Sequence, residues 1–466
     1  MEVSLILPVH LFEKSELYKK DRQIYFIEDS IFFKDKKRSL NNNKCKLVYH
    51  RATMKKHYDY LSKKYDCKYI EYNRIEKWMK ILKDRNIKKI HMYDPVDHLF
   101  MKLLKKECKK NKVEYEIHDS QSFITTLNDL EEYKKISPKK RQSHNSFYSF
   151  QRKRMGILID KNNKPVGGRL SYDVFNREKI SKNHSFKFFE PKEIKNKYIL
   201  EAQTYINKLF PENYGDGKIY FPIDFSSSKK WFKLFLNKRF DNFGKYQDAI
   251  DKDNNFLFHS VISPMMNIGL LTPKYIIEEV MKKYNGKNIN NVEGYIRQVI
   301  GWREFSRYLY VYFYEDMKNS NYFNNKKKLN KSFYDGTTGI PIIDKTIKDA
   351  FKYGYIHHIL RLMVIGNFMN ISQINPNQVY KWFMEFSIDS YDWVMINNVY
   401  SMALYADGGL STTKPYISTS NYIKKMSNYS TGEWEKQWNN LYYNFIKKNK
   451  NKLIKIPRMK MFINKY

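Results

Sequence analysis

The sequence predicts an α/β amino-terminal domain on a parallel, Rossmann-like sheet, then a long linker, then an all-α carboxyl-terminal domain. Three observations predict it. Short β-type runs alternate with amphipathic helical runs over 1–130, polar and turn-rich sequence fills 131–195, and helical periodicity dominates 196–466. With 42% hydrophobic and 17% aromatic residues in 466, the chain has ample apolar surface for more than one core.

Within the first segment, residues 3–8, 46–50, 68–72, 89–93 and 113–118 read as strands, and 52–64, 76–86 and 97–111 have helical spacing. The connection carries Lys139-Lys140-Arg141, Gln151-Arg152-Lys153-Arg154 and Lys164-Pro165-Val166-Gly167-Gly168. A stretch of that length is functional or bridges domains. Beyond it, 198–209, 273–283, 292–314, 344–353, 357–370 and 377–386 read as helices, with no internal repeat.

Lys and Arg number 85 against 49 Asp and Glu, a net charge of +36 that attracts polyanions and makes nucleic acid the leading partner. The chain is also crowded with Lys and Asn, so charge alone leaves a merely solvated basic surface equally open. Cys45, Cys67 and Cys108 form no C-x-x-C pair, which excludes a disulfide framework and a four-thiolate site within one chain. No metal ligand set is expected. Nor is a signal peptide or a spanning apolar stretch evident, so a soluble, cytosolic protein without membrane association is expected.

The densest cluster of unusual residues lies between Tyr355 and Tyr422. His358 and Arg361 are three apart, hence neighbours on one helix face, amid Leu362, Met363, Ile365 and Phe368. A guanidinium at a core edge needs an acid, and Asp389 and Asp392 are the candidates. Asn397-Asn398, the turn Asp407-Gly408-Gly409, Thr412-Thr413-Lys414-Pro415-Tyr416 and Asn421-Tyr422 then offer polar donors, a cation and rings suited to a phosphate and a stacked base. His259-Ser260-Val261-Ile262-Ser263-Pro264 could take a phosphate at a helix start, and Gly301-Trp302-Arg303-Glu304-Phe305 sets a ring, a cation and an acid side by side. Each also reads as capping, helix packing or a polar surface loop.

Together with Val292-Glu293-Gly294-Tyr295-Ile296-Arg297-Gln298 and the two basic linker motifs, these segments resemble the photolyase and cryptochrome family, in its bacterial (6-4) photolyase branch, in order along 3–460. The resemblance implies FAD in the helical domain, with Arg361 and Asp389, 28 residues apart, beside the flavin ring. It places His259, Ser260 and Ser263 at the FAD phosphates, and Trp302 and Glu304 along the flavin and lesion pocket. Asn367, Asp392 and Asn398 complete the cofactor set, and Met395 faces flavin N5, where a thioether has no proton to give. His358 matches the imidazole that passes a proton to a (6-4) photoproduct, while Leu362 stands where animal-type enzymes have a second histidine. Tyr416 and Tyr422 would lie by the flipped lesion, with Asp173 and Asp248 facing the same cavity.

Arg152, Arg154 and Lys414, with Lys424 and Lys425, are implied phosphate clamps, and Trp382, Tyr391 and Trp393 candidate members of an electron relay. The branch also carries an antenna pigment, 6,7-dimethyl-8-ribityllumazine; Glu28 falls in the matching segment, where its plainer reading is a solvated carboxylate. The branch's iron-sulfur cluster needs four cysteines in the helical domain. None follows Cys108, so no cluster is expected, and Trp434, Trp438 and Tyr442 are expected to stabilise that end instead. The implied activity is light-driven repair of ultraviolet-damaged DNA by a monomer. Rival readings are a cryptochrome-type blue-light photoreceptor, a cyclobutane pyrimidine dimer photolyase and a flavin-free nucleic-acid binder.

Overall fold

Five parallel strands form the amino-terminal sheet in the computed structural model, which describes residues 1–72, 86–181 and 183–463. They are β1 (Glu2–Ile6), β2 (Gln23–Ile27), β3 (Cys67–Ile70), β4 (Lys89–Tyr93) and β5 (Glu114–His118), in the order β3-β2-β1-β4-β5. This doubly wound order matches the predicted Rossmann-like class. Four expected strands are present; the expected helix 76–86 lies outside the described residues except Asn86.

Three readings of this layer need correction. β2 was not expected, because Gln23–Ile27 follows a charged stretch with no turn signal of its own. The run 46–50, expected as a strand, belongs to helix Lys44–Leu61, capped by Asn43 Oδ1 accepting from Cys45 N at 2.9 Å. Its β-type composition serves burial on both sides, and tertiary packing overrides local propensity. Asn43 also donates to the carbonyls of Phe351 and Phe386, and Lys46 Nζ to that of Ser390 at 2.6 Å, so this helix ties the sheet layer to the helical lobe. Glu28, read as solvated, is fully buried: it pairs with Arg51 at 2.7 Å and accepts from Tyr69 Oη and Tyr72 N. Its oxygens are thereby committed to protein donors.

The segment 131–195 is not uniformly irregular. Helix Leu127–Ile136 runs into it, and helix His144–Met155 inserts Phe147 and Tyr148, both fully buried, against the turn Arg297–Arg303. Gly301 permits that approach, since a Cβ there would meet His144 Nε2 at 2.8 Å, and His144 stacks on Trp302 at 3.8 Å.

The helical lobe follows the expected series, with helices Lys197–Leu209, Pro273–Met281, Pro341–Tyr353 and Pro376–Phe386. The expected 292–314 and 357–370 are interrupted by π-helical turns at Arg297–Arg303 and Leu360–Gly366, and a third spans Ile396–Ala403. At the carboxyl end Trp438 is fully buried against Phe368 and donates to Ser418 O at 2.9 Å, as expected of that ring. Among the described residues no helix is long and apolar enough to cross a membrane.

Sealed histidines make the fold acid-sensitive. His10, His50 and His57 are at most 3% exposed, and burial pushes each down to about 3. In the unfolded chain they titrate near 6.5, so below that pH the unfolded state binds more protons. Stability is full above about 6.5 and falls toward pH 3, by about 1.4 kcal/mol per pH unit for each ring. Urea unfolding at pH 7 and pH 5 checks this; equal stabilities contradict it.

Candidate active site

The three π-helical turns converge on one cavity of about 290 Å³, lined by Trp302 and Arg303 from the first, Arg361 from the second, and Asn398 and Met402 from the third. A π turn widens the helix locally and re-aims its side chains, a device common at functional sites. The wall is completed by the loop His259–Ser263, by His358, and by Asp389, Trp393 and Met395. Val261 in that loop holds φ at +55°, a strained value for a β-branched residue. Trp231 Nε1 donating to Ser260 O at 2.9 Å and Tyr295 Oη bonded to Ser260 Oγ at 2.8 Å hold the loop in place.

Arg361 and Asp389 meet as a two-pronged pair at 2.9 and 3.1 Å. Burial would raise the Asp389 carboxyl, but Arg361 with the hydroxyls of Ser263 and Ser387 holds it below its ordinary value. Ser263 Oγ donates to Oδ2 at 2.5 Å and Asn267 Nδ2 to the Asp389 carbonyl at 2.8 Å, which fixes the acid from two further sides. Of the two acids that the sequence left open for Arg361, Asp389 is the partner.

His358 is exposed to the cavity yet enclosed by protein, and burial with the nearby Arg361 lowers it to about 4. The ring is exposed to the cavity, whereas its neighbour His357 is 1% exposed and is lowered well further. His357 stacks on His259 at 4.6 Å, which keeps the His259 ring in the cavity wall.

Several expected site residues are committed elsewhere. Arg152 is fully buried and donates to the carbonyls of Ile157, Leu158 and Leu170, satisfying backbone groups where its helix ends, so it is not a phosphate clamp. Arg154 pairs with Asp129 at 3.1 Å. Glu304 points away from the cavity and accepts from Ile124 N and Thr125 N, both at 3.1 Å, because the next helical position faces the sheet layer. Asn367 is sealed and bonds Ser418 at 2.9 Å, and Asp392 anchors Arg38, Tyr310 and Tyr380 at the domain junction. Neither lines the cavity.

Asp173, Asp248, Tyr416 and Tyr422 gather in a second group. Asp173 pairs with Arg177 and, at 3.1 Å, with Arg297, and Arg177 lies 3.9 Å from Asp248. Burial and Asp173 raise Asp248 to about 6, and both tyrosines feel Asp248 and Arg177. The fields of Asp173 and Arg297 reach His358, which links this group to the cavity. Of the expected relay, Trp393 lines the cavity, whereas Tyr391 bonds His50 Nε2 at 2.9 Å and Trp382 packs on Phe386 at 4.6 Å. Lys414 is half-buried and Lys425 exposed, while Lys424 pairs with Glu435 at 2.7 Å.

Two cations had no site role of their own in the sequence reading, Arg303 being named only within the 301–305 motif and Arg239 not at all. Arg303 donates to Ser122 O and Asn267, lies 4.8 Å from the Trp393 ring, and is lowered by burial only to about 10, so it stays charged. Arg239 is 6% exposed and has no carboxylate partner among the described residues; its guanidinium lies over Phe189, and its charge reaches His259, Tyr295 and Tyr355. Arg303 Nη2, Arg239 Nε and His259 Nε2 are buried with no hydrogen-bond partner in the protein, a donor set that fits an anionic, polar ligand reaching past Ser260. A flavin nucleotide, with a planar ring for the Arg361 end and a diphosphate for the Arg239 end, has that chemistry.

The family described as deoxyribodipyrimidine photo-lyase-related protein matches residues 4–219, and the FAD binding domain of DNA photolyase matches residues 295–458. A (6-4) photolyase of Agrobacterium fabrum is 31% identical over 357 residues, 73% of this chain and 69% of that protein. An uncharacterised protein of Acanthamoeba polyphaga mimivirus is 69% identical over 91 residues, 19% of this chain and 74% of its own. A solved bacterial class III photolyase from Agrobacterium tumefaciens shares the fold, with a TM-score of 0.59 at 14% identity over 91% of this chain and 86% of that one.

Proposed function

The chain belongs to the photolyase and cryptochrome family, and on that premise we propose that it repairs the pyrimidine (6-4) pyrimidone photoproduct in ultraviolet-damaged DNA by light-driven electron transfer. The observation that carries the reading is His358 standing on the wall of the cavity that the Arg361–Asp389 pair also lines. Reduced FAD, bound there and excited by light, supplies the electron that thermal acid and base chemistry lacks.

The protein supplies position, dryness and a proton. Arg361 and Asp389 orient the ring system, Ser260 and Ser263 stand on the same cavity wall for a diphosphate, and Arg239, whose charge reaches His259 beside them, is the cation that would neutralise it. The lesion must leave the duplex to enter, at a cost of a few kcal/mol that is smaller for a distorted dinucleotide, so damage rather than base sequence is selected. Tyr416 and Tyr422 offer ring surface at the Asp173 and Asp248 side for the extruded bases. His358, facing the cavity, donates a proton to the lesion while it carries the extra electron and takes it back as the parent bases are restored. Resupply of electrons has a candidate route through packed rings: Tyr214, 37% exposed, contacts Phe351 at 5.3 Å, Phe351 contacts Trp382 at 6.0 Å, and Trp382 contacts Phe386, over which Arg361 lies.

Lys414 and Lys425 are the expected cations left for DNA phosphates once Arg152, Arg154 and Lys424 are discounted. Affinity for DNA is expected to fall as salt rises; two phosphate contacts alone give about a 12-fold loss between about 50 and 200 mM. Fluorescence anisotropy across that range reads the slope, and a salt-independent affinity contradicts a phosphate-driven interface. The decisive experiment illuminates the FAD-loaded protein with oligonucleotides carrying one defined lesion. Loss of the (6-4) photoproduct alone is expected. Repair of the cyclobutane dimer alone, or of neither, overturns the proposal, and the latter with intact photoreduction favours a photoreceptor.

A further inference from the structure

A cluster remote from the cavity lies on one face of the amino-terminal sheet. β4 and β5 pair with His91 opposite Glu116 and Tyr93 opposite His118, and β1 sets Glu2 opposite Lys89. Side chains alternate along a strand, so His91, Glu116, His118 and Glu2 share a face. His91 is 4% exposed, yet its Nδ1 has no hydrogen-bond partner, and neither has His118 Nε2. Those two nitrogens stand 3.4 and 3.5 Å from the carboxylate oxygens of Glu116, and one ligand atom from each of the three residues lies within 4.8 Å of the others.

The opposite ring nitrogens are each taken by another acid. His91 Nε2 lies 2.7 Å from Glu2 Oε2, and His118 Nδ1 lies 3.3 Å from Glu16 Oε1. Each outward N–H faces an acceptor, so each inward nitrogen presents a lone pair. Lone pairs of two imidazoles and a carboxylate facing one another repel unless a cation stands between them. Zinc–ligand bonds of about 2.0–2.1 Å place tetrahedral ligand atoms about 3.3–3.4 Å apart, close to the 3.5 Å between His118 Nε2 and Glu116 Oε1. An acid behind each ligating imidazole is also how metal-bound histidines are oriented.

We propose that His91 Nδ1, His118 Nε2 and Glu116 form a binding site for a divalent first-row transition cation, with Zn²⁺ the best match and the fourth position open to water. Glu2 and Glu16 are positioning residues. The cation ties edge strand β5, largely exposed along Glu114–His118, to the buried sheet. Lys89 Nζ, 2.7 Å from Glu116 Oε2, competes for the same carboxylate, which leaves Oε1, the oxygen facing His118, for the metal.

The test titrates chelator-treated, FAD-loaded protein with Co²⁺, reading visible absorption above the flavin bands, then displaces it with Zn²⁺. One tight equivalent with tetrahedral intensity is expected. His118→Gln and Glu116→Gln, at half-buried and exposed positions that leave the fold intact by circular dichroism, weaken binding at least about tenfold, and Glu2→Gln does so by about tenfold. Lys89→Met strengthens it. Binding that is equally tight in wild type and His118→Gln, or no binding in wild type, overturns the proposal.

Discussion

His358→Ala is expected to lower light-driven (6-4) repair by at least about 100-fold while leaving FAD content and DNA affinity unchanged, since a positioned general acid and base contributes about 10²–10⁴. The ring faces the cavity and seals no core, so its removal leaves the Arg361–Asp389 pair and the phosphate end untouched. His358→Gln keeps polarity without a titrating proton and is expected to be as inactive. The pH profile separates a proton role from shape. With the folded value near 4, set by burial and Arg361, the charged ring is a minority species at pH 7 and grows about tenfold for each unit the pH falls. Bound DNA, bringing anionic phosphates, favours the same charged form. Single-turnover repair per absorbed photon is therefore expected to rise from pH 8 to pH 6 in the wild type and to stay flat in His358→Gln. A flat wild-type profile places the proton elsewhere.

What could be read from the sequence follows the range over which each interaction is coded. Arg361, His358, Asp389 and the His259–Ser263 loop lie in short motifs with fixed spacing, and the fold brings all of them to one cavity. Parallel strands with flanking turns were legible because alternation is local. The second half of helix Lys44–Leu61 was legible too, but its first turns were not, because they answer to Glu385, Phe351 and Ser390, more than 300 residues away. The π turns leave no periodic mark, so Arg303 was passed over in favour of Glu304, one position along, which faces Thr125 instead. Arg152 illustrates the converse error: a basic run suggested a surface, but a guanidinium has enough donors to close a buried helix end. The His91, Glu116 and His118 cluster has no sequence motif at all, since its ligands meet only through strand pairing.

Asp389→Ala is expected to have the largest effect on both stability and cofactor content. The wild-type guanidinium of Arg361 is matched by a carboxylate only 5% exposed, and apart from Asp389 its one hydrogen bond is from Nε to Ile356 O at 2.7 Å. Removing the acid leaves a largely buried guanidinium without its counter-charge, which costs about 3–5 kcal/mol, and leaves the Ser263 and Ser387 hydroxyls without the carboxylate they hold. Urea unfolding measures the first loss; the absorption of the purified protein, expected to be colourless, measures the second. Because a misfolded protein would also be colourless, the double variant Arg361→Met with Asp389→Leu separates the two. Exchanging a buried ion pair for well-packed apolar side chains is often neutral or stabilising, so its stability is expected to return to within about 1 kcal/mol of wild type. If the pair exists to orient the flavin, that refolded protein still fails to retain FAD. Recovery of both stability and colour would make the pair a strut of the helical lobe rather than a clamp on the cofactor.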